Sequence, residues 1–400
     1  YVYPMEEASV DYTKDPWVPA SDSQDKSGSE WSEIKVQGAN WWAEAVKLPS
    51  VWSMDIWNDD SQFVPVNIGV IDSVFDTENT DLKQVFKECW LNPIDGSGRS
   101  RVSNLYNKET NAEKKTELAH GTHVAGIIAA KGENNFGITG TASCADPQLY
   151  GYATKGERDQ FYTDLMMWKY AIALMLKEDV KVINISMGFE SLTYAASKGN
   201  DVALLKLSKF SVTMERFLKK CIEQNYDFII TTSAGNTAGY GWKECDASKE
   251  YPYGYIRTEG TSKPCDIKFD VFGAITDTEV RNHIIIVGAT KKVQLSFSKD
   301  TKYEIADFSN IGADVYAPGY KILSTIPGNT TDYRDGTSMA SPIVAGTAAL
   351  MWSVNPELGS RQIKEIIVDS TETDDADMSN VNAYYAVNAA RIEKGSQGTE

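Results

Sequence analysis

Apolar runs of strand length recur along this chain: Val66 to Asp72, Leu149 to Tyr152, Val180 to Ile185, Phe228 to Thr231 and Ile284 to Val287. They are nearly continuous rather than alternating, which suits parallel strands buried on both faces. Between several of them the period changes. From Phe161 to Leu176, the residues Leu165, Met166, Trp168, Ala171, Ile172 and Met175 share one broad helical face; Val212 to Gln224 does the same with Met214, Phe217, Leu218, Cys221 and Ile222. Strand alternating with helix predicts an α/β fold: a doubly wound, mostly parallel sheet with helices on both faces. Ligands in such sheets bind at the carboxyl ends of the strands.

Two further runs are rich in small residues. His120 to Ala130 reads as a helix that can pack tightly under the sheet. Ile343 to Met351 reads as a buried helix introduced by Asp335-Gly336-Thr337-Ser338-Met339-Ala340-Ser341-Pro342. Pro342 is expected in its first turn, where a missing N–H costs little. Ser338 then sits at a helix N-terminus, either as an ordinary cap or as a nucleophile whose own N–H helps hold an oxyanion. The strand ends collect the polar residues: Asp72 after the first run, Asn184 and Ser186 after the third, Ser233-Ala234-Gly235-Asn236 after the fourth.

Residues 1–30 are polar and read as an extension rather than a domain. Residues 31–370 form the main domain, with insertions near 93–117 and 237–281. Trp31, Trp41, Trp42, Trp52 and Trp57 open that domain as a helix-rich lead-in packed on the core; an aromatic carbohydrate platform is the weaker alternative. Residues 371–400 form a tail with an acidic patch and a short helix near Tyr384–Ile392.

With 400 residues, 42% of them hydrophobic, the chain can bury one large domain. Its net charge of −17 argues against nucleic acid as a partner. No run is apolar for the ~18 residues that a membrane span needs. Five cysteines without C-x-x-C spacing give no zinc pattern; Cys245 and Cys265 could pair, or all could be free thiols. A histidine base must be His120, His123 or His283, the only three present. His120 and His123 lack the spacing of a zinc-binding H-E-x-x-H helix.

A serine hydroxyl needs a base to take its proton and a carboxylate to orient that base. Ser338, His120 and Asp72 supply the three, in the chain order Asp, His, Ser. Val70-Ile71-Asp72-Ser73, His120-Gly121-Thr122-His123-Val124-Ala125-Gly126 and Gly336-Thr337-Ser338-Met339-Ala340-Ser341-Pro342 each resemble a motif of the subtilisin-like serine proteases. Ser233-Ala234-Gly235-Asn236 resembles that family's oxyanion segment, and Asn184-Ile185-Ser186-Met187-Gly188 resembles the strand lining its primary specificity pocket.

The resemblance spans roughly residues 31 to 355 and implies a serine endopeptidase. In it Ser338 is the nucleophile, His120 the general base and acid, Asp72 its orienting carboxylate, and Asn236 an oxyanion donor. Ser186, Met187 and Gly188 would offer backbone hydrogen bonds to an extended substrate. The partners implied are peptide or protein substrates and a removed pro-segment, in a secreted or extracytoplasmic setting; the chain opens on Tyr1 rather than Met. No cofactor is implied for the chemistry. Lys131 to Gly137 resembles a loop that often helps bind a structural calcium, with Asp81, Asn134 or Asn135 as oxygen donors; an ordinary turn explains it nearly as well. Val74 stands where the family often has glycine, and Asn79-Thr80 where it usually has a histidine. The competing readings are a silent scaffold on the same fold, and a narrow-specificity processing or transpeptidating enzyme.

Overall fold

The computed structural model describes residues 15, 40–91, 106, 108–154, 161–244, 255–294, 301–371 and 380–397. The strands are β1 (Asn67–Asp72), β2 (Phe86–Leu91), β3 (Gln148–Ala153), β4 (Val182–Ile185), β5 (Ile229–Ser233), β6 (Gly241–Glu244), β7 (Tyr255–Thr258), β8 (Ile284–Gln294), β9 (Thr301–Ile305), β10 (Val315–Pro318), β11 (Ile322–Ile326) and β12 (Thr330–Arg334). Seven of them lie parallel in the order β10-β8-β5-β4-β1-β3-β2, and β9 runs antiparallel along β8. Two antiparallel hairpins, β6–β7 and β11–β12, stand apart from this sheet. The predicted α/β architecture is the observed one.

Both sheet faces are covered, which explains the unbroken apolar runs. In β8, Ile285 and Val287 join the core of one face while Ile284 and Ile286 join that of the other. The first face packs under the helices His120–Ala129, Thr337–Val354, Ser360–Asp369 and Ala383–Gln397. The second packs under Phe161–Lys177, Glu190–Ser197 and Asp201–Glu223.

The lead-in tryptophans serve packing. Trp41, Trp42 and Trp52 are buried in the first core, and the Trp52 indole N–H donates to the Thr141 carbonyl at 3.1 Å. Trp31 lies outside the described residues, as do most of the 93–117 insertion and Cys245. Cys265 is a buried free thiol. The helix expected near Tyr384–Ile392 runs from Ala383 to Gln397. It buries Ala386, Val387 and Ala390 in the core, and its Ala390 carbonyl accepts from Asn355 Nδ2 at 2.9 Å. Part of the second insertion builds the β6–β7 hairpin.

Candidate active site

Three neighbouring strands end in candidate residues. β1 ends in Asp72, β4 is followed directly by Ser186, and β5 ends in Ser233 just before Asn236. The pairing of β1 with β4 and of β4 with β5 sets these ends side by side.

Asp72 is 1% exposed in its side chain, His120 24%, and Asp72 Oδ1 lies 2.7 Å from His120 Nδ1. A carboxylate can only accept, so this contact puts the proton on Nδ1 and leaves Nε2 free to take another. Ser73 holds the two elements together. Its hydroxyl accepts from Gly121 N at 3.0 Å and donates to the Leu118 carbonyl at 3.1 Å. Gly121 permits the approach, since a Cβ there would fall 2.6 Å from the Val74 carbonyl oxygen. His123, on the same helix, is fully buried and donates from Nε2 to the carbonyls of Ile322 and Asp332, each at 3.1 Å. It ties its helix to the β11–β12 hairpin.

Ser338 is the second residue of the helix Thr337–Val354, so its own N–H has no intrahelical partner. Gly336, at φ 153° and ψ 155°, adopts a conformation open essentially to glycine alone. A Cβ there would sit 3.5 Å from Asn236 Nδ2 and 3.6 Å from Ser338 N, so the two donors border one small space. Asn236 Oδ1 accepts from Thr337 N at 2.9 Å and from Thr337 Oγ1 at 3.0 Å, which turns Nδ2 outward. The sequence pattern alone assigned no role to Thr337.

Pro342 is the sixth residue of the helix, not part of its first turn as expected. Its missing N–H deprives the Ser338 carbonyl of its i+4 partner. Ser186 Oγ fills the gap, donating to that carbonyl at 2.9 Å, while Ser338 Oγ donates to the Ser186 carbonyl at 3.0 Å. Asn184 Nδ2 in turn donates to Ser186 Oγ at 3.0 Å, and Asn184 Oδ1 accepts from Ser341 at 2.7 Å and Thr231 at 3.1 Å. Met187 is half-buried and Gly188 exposed, so the edge opens toward solvent as it leaves Ser186.

The profile of the subtilase family matches residues 65–387. This chain belongs to the subtilase family. Subtilisin DY of Bacillus licheniformis is 28% identical over 336 residues, which cover 83% of this chain and 91% of that protein. The major intracellular serine protease of Bacillus subtilis is 27% identical over 329 residues, covering 80% and 77%. Among solved structures, the A-subunit of the AB5 toxin from E. coli superposes with a TM-score of 0.56 at 20% identity, over 88% of this chain and 99% of that one, and shows the same fold.

The loop that resembles a calcium-binding one is closed by its own hydrogen bonds. Asp81 Oδ1 accepts from Asn134 Nδ2 at 2.9 Å and Oδ2 from Ile138 N at 3.1 Å; Asn134 Oδ1 accepts from Phe136 N at 2.8 Å. Buried Asp15 likewise accepts from Glu133 N, Asn134 N and Thr139 Oγ1. In this arrangement N–H donors from Asn134 and Ile138 reach both oxygens of the Asp81 carboxylate.

Two other features of this subtilase had no sequence signal. Glu190 accepts from Asn236 N at 3.3 Å and pairs with Arg257, whose guanidinium stacks 3.5 Å from the Tyr240 ring centre. The β6–β7 hairpin is thereby tied to the oxyanion segment. Asp270, 9% exposed, lies beside Gly188.

Proposed function

We propose that this subtilase is a serine endopeptidase that hydrolyses peptide bonds through an acyl-enzyme on Ser338. The observation that carries the reading is the 2.7 Å contact between buried Asp72 and His120 at the carboxyl end of β1, beside the end of β4 where Ser338 bonds Ser186. His120 Nε2 accepts the Ser338 proton as the hydroxyl attacks, then returns it to the leaving amine. Asp72 holds the ring in the Nδ1–H tautomer and stabilises the imidazolium. Asn236 Nδ2 and Ser338 N donate to the oxyanion.

In the resting arrangement the single Ser338 proton points at the Ser186 carbonyl. A substrate strand laid along Ser186, Met187 and Gly188 presents N–H groups that compete for that acceptor. Displaced from it, the hydroxyl turns its proton toward His120. Binding and activation of the nucleophile are coupled through one carbonyl.

The test is labelling of the chain by a serine-directed fluorophosphonate, with peptide turnover beside it. Wild type is expected to label and turn over, and Ser338→Ala to do neither. An intact, folded wild type that does neither favours the silent scaffold. Ligation products, or cleavage of one sequence only, favour the processing or transpeptidating alternative. The substrates are peptides or proteins rather than nucleic acid, and we place removal of a pro-segment before activity. The setting proposed is secreted or extracytoplasmic, as the family resemblance implies. Cell fractionation tests that against the precedent of the relative named as intracellular.

A further inference from the structure

Gly188 is the exposed end of the proposed substrate edge and carries no side chain. Asp270 Oδ2 stands 3.8 Å from the point a Gly188 Cβ would occupy. The carboxylate therefore borders the space into which a side chain from the edge-bound substrate would descend.

Asp270 is held rigidly. Its Oδ1 accepts from Phe272 N at 2.9 Å. The segment carrying it is fastened to the oxyanion strand through Asn310, which accepts from Cys265 N at 3.1 Å and donates to the Ala234 carbonyl at 2.9 Å. Behind it, Trp168 stacks between Phe189 and Phe272 in the buried core, at centroid distances of 5.0 and 5.9 Å.

No cation among the described residues pairs with Asp270. Arg281, whose charge reaches it, is itself committed to both oxygens of Asp314 at 2.9 and 3.1 Å. Backbone N–H groups of Phe272, Val271 and Gly273 favour its charged form, but burial opposes it and a directly paired cation would offset that cost. Beside a substrate edge, the supplier is the substrate.

We propose that Asp270 is the specificity-determining residue of the primary pocket and selects a lysine or arginine side chain immediately before the scissile bond. The charged head of such a side chain reaches the carboxylate past Gly188, which has no side chain in the way. The inference rests on the serine-peptidase reading for its purpose, but not for its test.

The test compares hexapeptides that differ only in Arg, Lys, Leu or Phe at the position before the expected scissile bond. Calorimetric binding is measured on Ser338→Ala, and on Ser338→Ala combined with Asp270→Asn. The asparagine keeps the shape and the acceptor for Phe272 N. Cationic peptides are expected to bind Ser338→Ala about 10-fold or more tightly than the Leu and Phe peptides, with that preference lost in the double variant. In proteins that keep Ser338, the Arg/Leu ratio of kcat/KM is expected to fall about 100-fold on Asp270→Asn. Equal binding of all four peptides, or a preference unmoved by Asp270→Asn, overturns the assignment. Absent turnover with the binding preference intact would instead sink the peptidase reading and leave Asp270 as a cation-selecting residue.

Discussion

Ser186 and Ser338 exchange two hydrogen bonds. Each hydroxyl donates to the other residue's carbonyl, at 2.9 Å from Ser186 and 3.0 Å from Ser338. The pair exists because Pro342 cannot donate back along its helix. A proline that looks like a packing choice thus leaves an acceptor for Ser186, which ties the end of β4 to the helix carrying Ser338.

That relationship predicts a coupling. Ser186→Ala leaves the Ser338 carbonyl buried and unpaired, with an expected loss of about 1–3 kcal/mol. In a Pro342→Ala background the new N–H can bond Ser338, so the same Ser186→Ala change is expected to cost clearly less. Urea melts of the four proteins measure the cycle. Additive losses would mean that Pro342 and Ser186 do not share that carbonyl.

Asn236 is the next point of leverage. Thr337 occupies its Oδ1 and so fixes which end of the amide faces the proposed oxyanion space. Asn236→Ala is expected to lower kcat about 10²–10³-fold with little change in KM, the magnitude established for the corresponding asparagine of a subtilisin. Asn236→Asp should be no better, since it keeps the Thr337 contacts but replaces the donor by an acceptor. Stopped and steady-state assays on one peptide decide this. An unimpaired Asn236→Asp would remove the residue from the oxyanion site.

The sheet was legible in the sequence because burial on both faces leaves an almost uninterrupted apolar run, as in Ile284 to Val287. Asp72, His120, Ser338 and Asn236 could be singled out because each sits in a local motif. What could not be read was anything settled by contacts distant in the chain. Ser73 meets the His120 helix 48 residues on, and Ser186 meets Ser338 across 152. The place of Pro342 in the helix depended on where the helix begins, which the Gly336 backbone decides. Asp270 lies in an insertion with no periodicity to place it.

His123 should make the fold acid-sensitive. Burial, with Arg334 and His120 nearby, holds it well below the usual imidazole range. Its Nδ1 is buried with no hydrogen-bond partner, so a second ring proton would find no acceptor. The native state keeps the ring neutral while the unfolded chain takes up a proton below about pH 6.5. Stability present above that pH is therefore lost as pH falls through it. Urea midpoints of wild type and His123→Gln between pH 8 and 5 isolate this contribution. A wild-type midpoint that falls no faster than the variant's would refute it.

Asp81 should act in the opposite direction. Burial pushes its carboxyl up to about 7, outweighing the two N–H donors from Asn134 and Ile138 that favour the charged form. The native state then holds a proton that the unfolded chain releases near pH 4. The contribution is fully present below that pH and disappears as pH rises toward 7, at up to roughly 1.4 kcal/mol per pH unit. Asp81→Asn keeps the shape and one of the two acceptor oxygens without titrating, so whatever its overall stability, its unfolding free energy should be flatter from pH 4 to 7 in chelator. If calcium occupies the loop after all, adding it will favour the charged carboxylate and erase the wild-type slope. A slope that is present in wild type, insensitive to calcium and absent in Asp81→Asn is the expected result. Identical slopes in the two proteins would show that the Asp15–Asp81 loop does not control this transition.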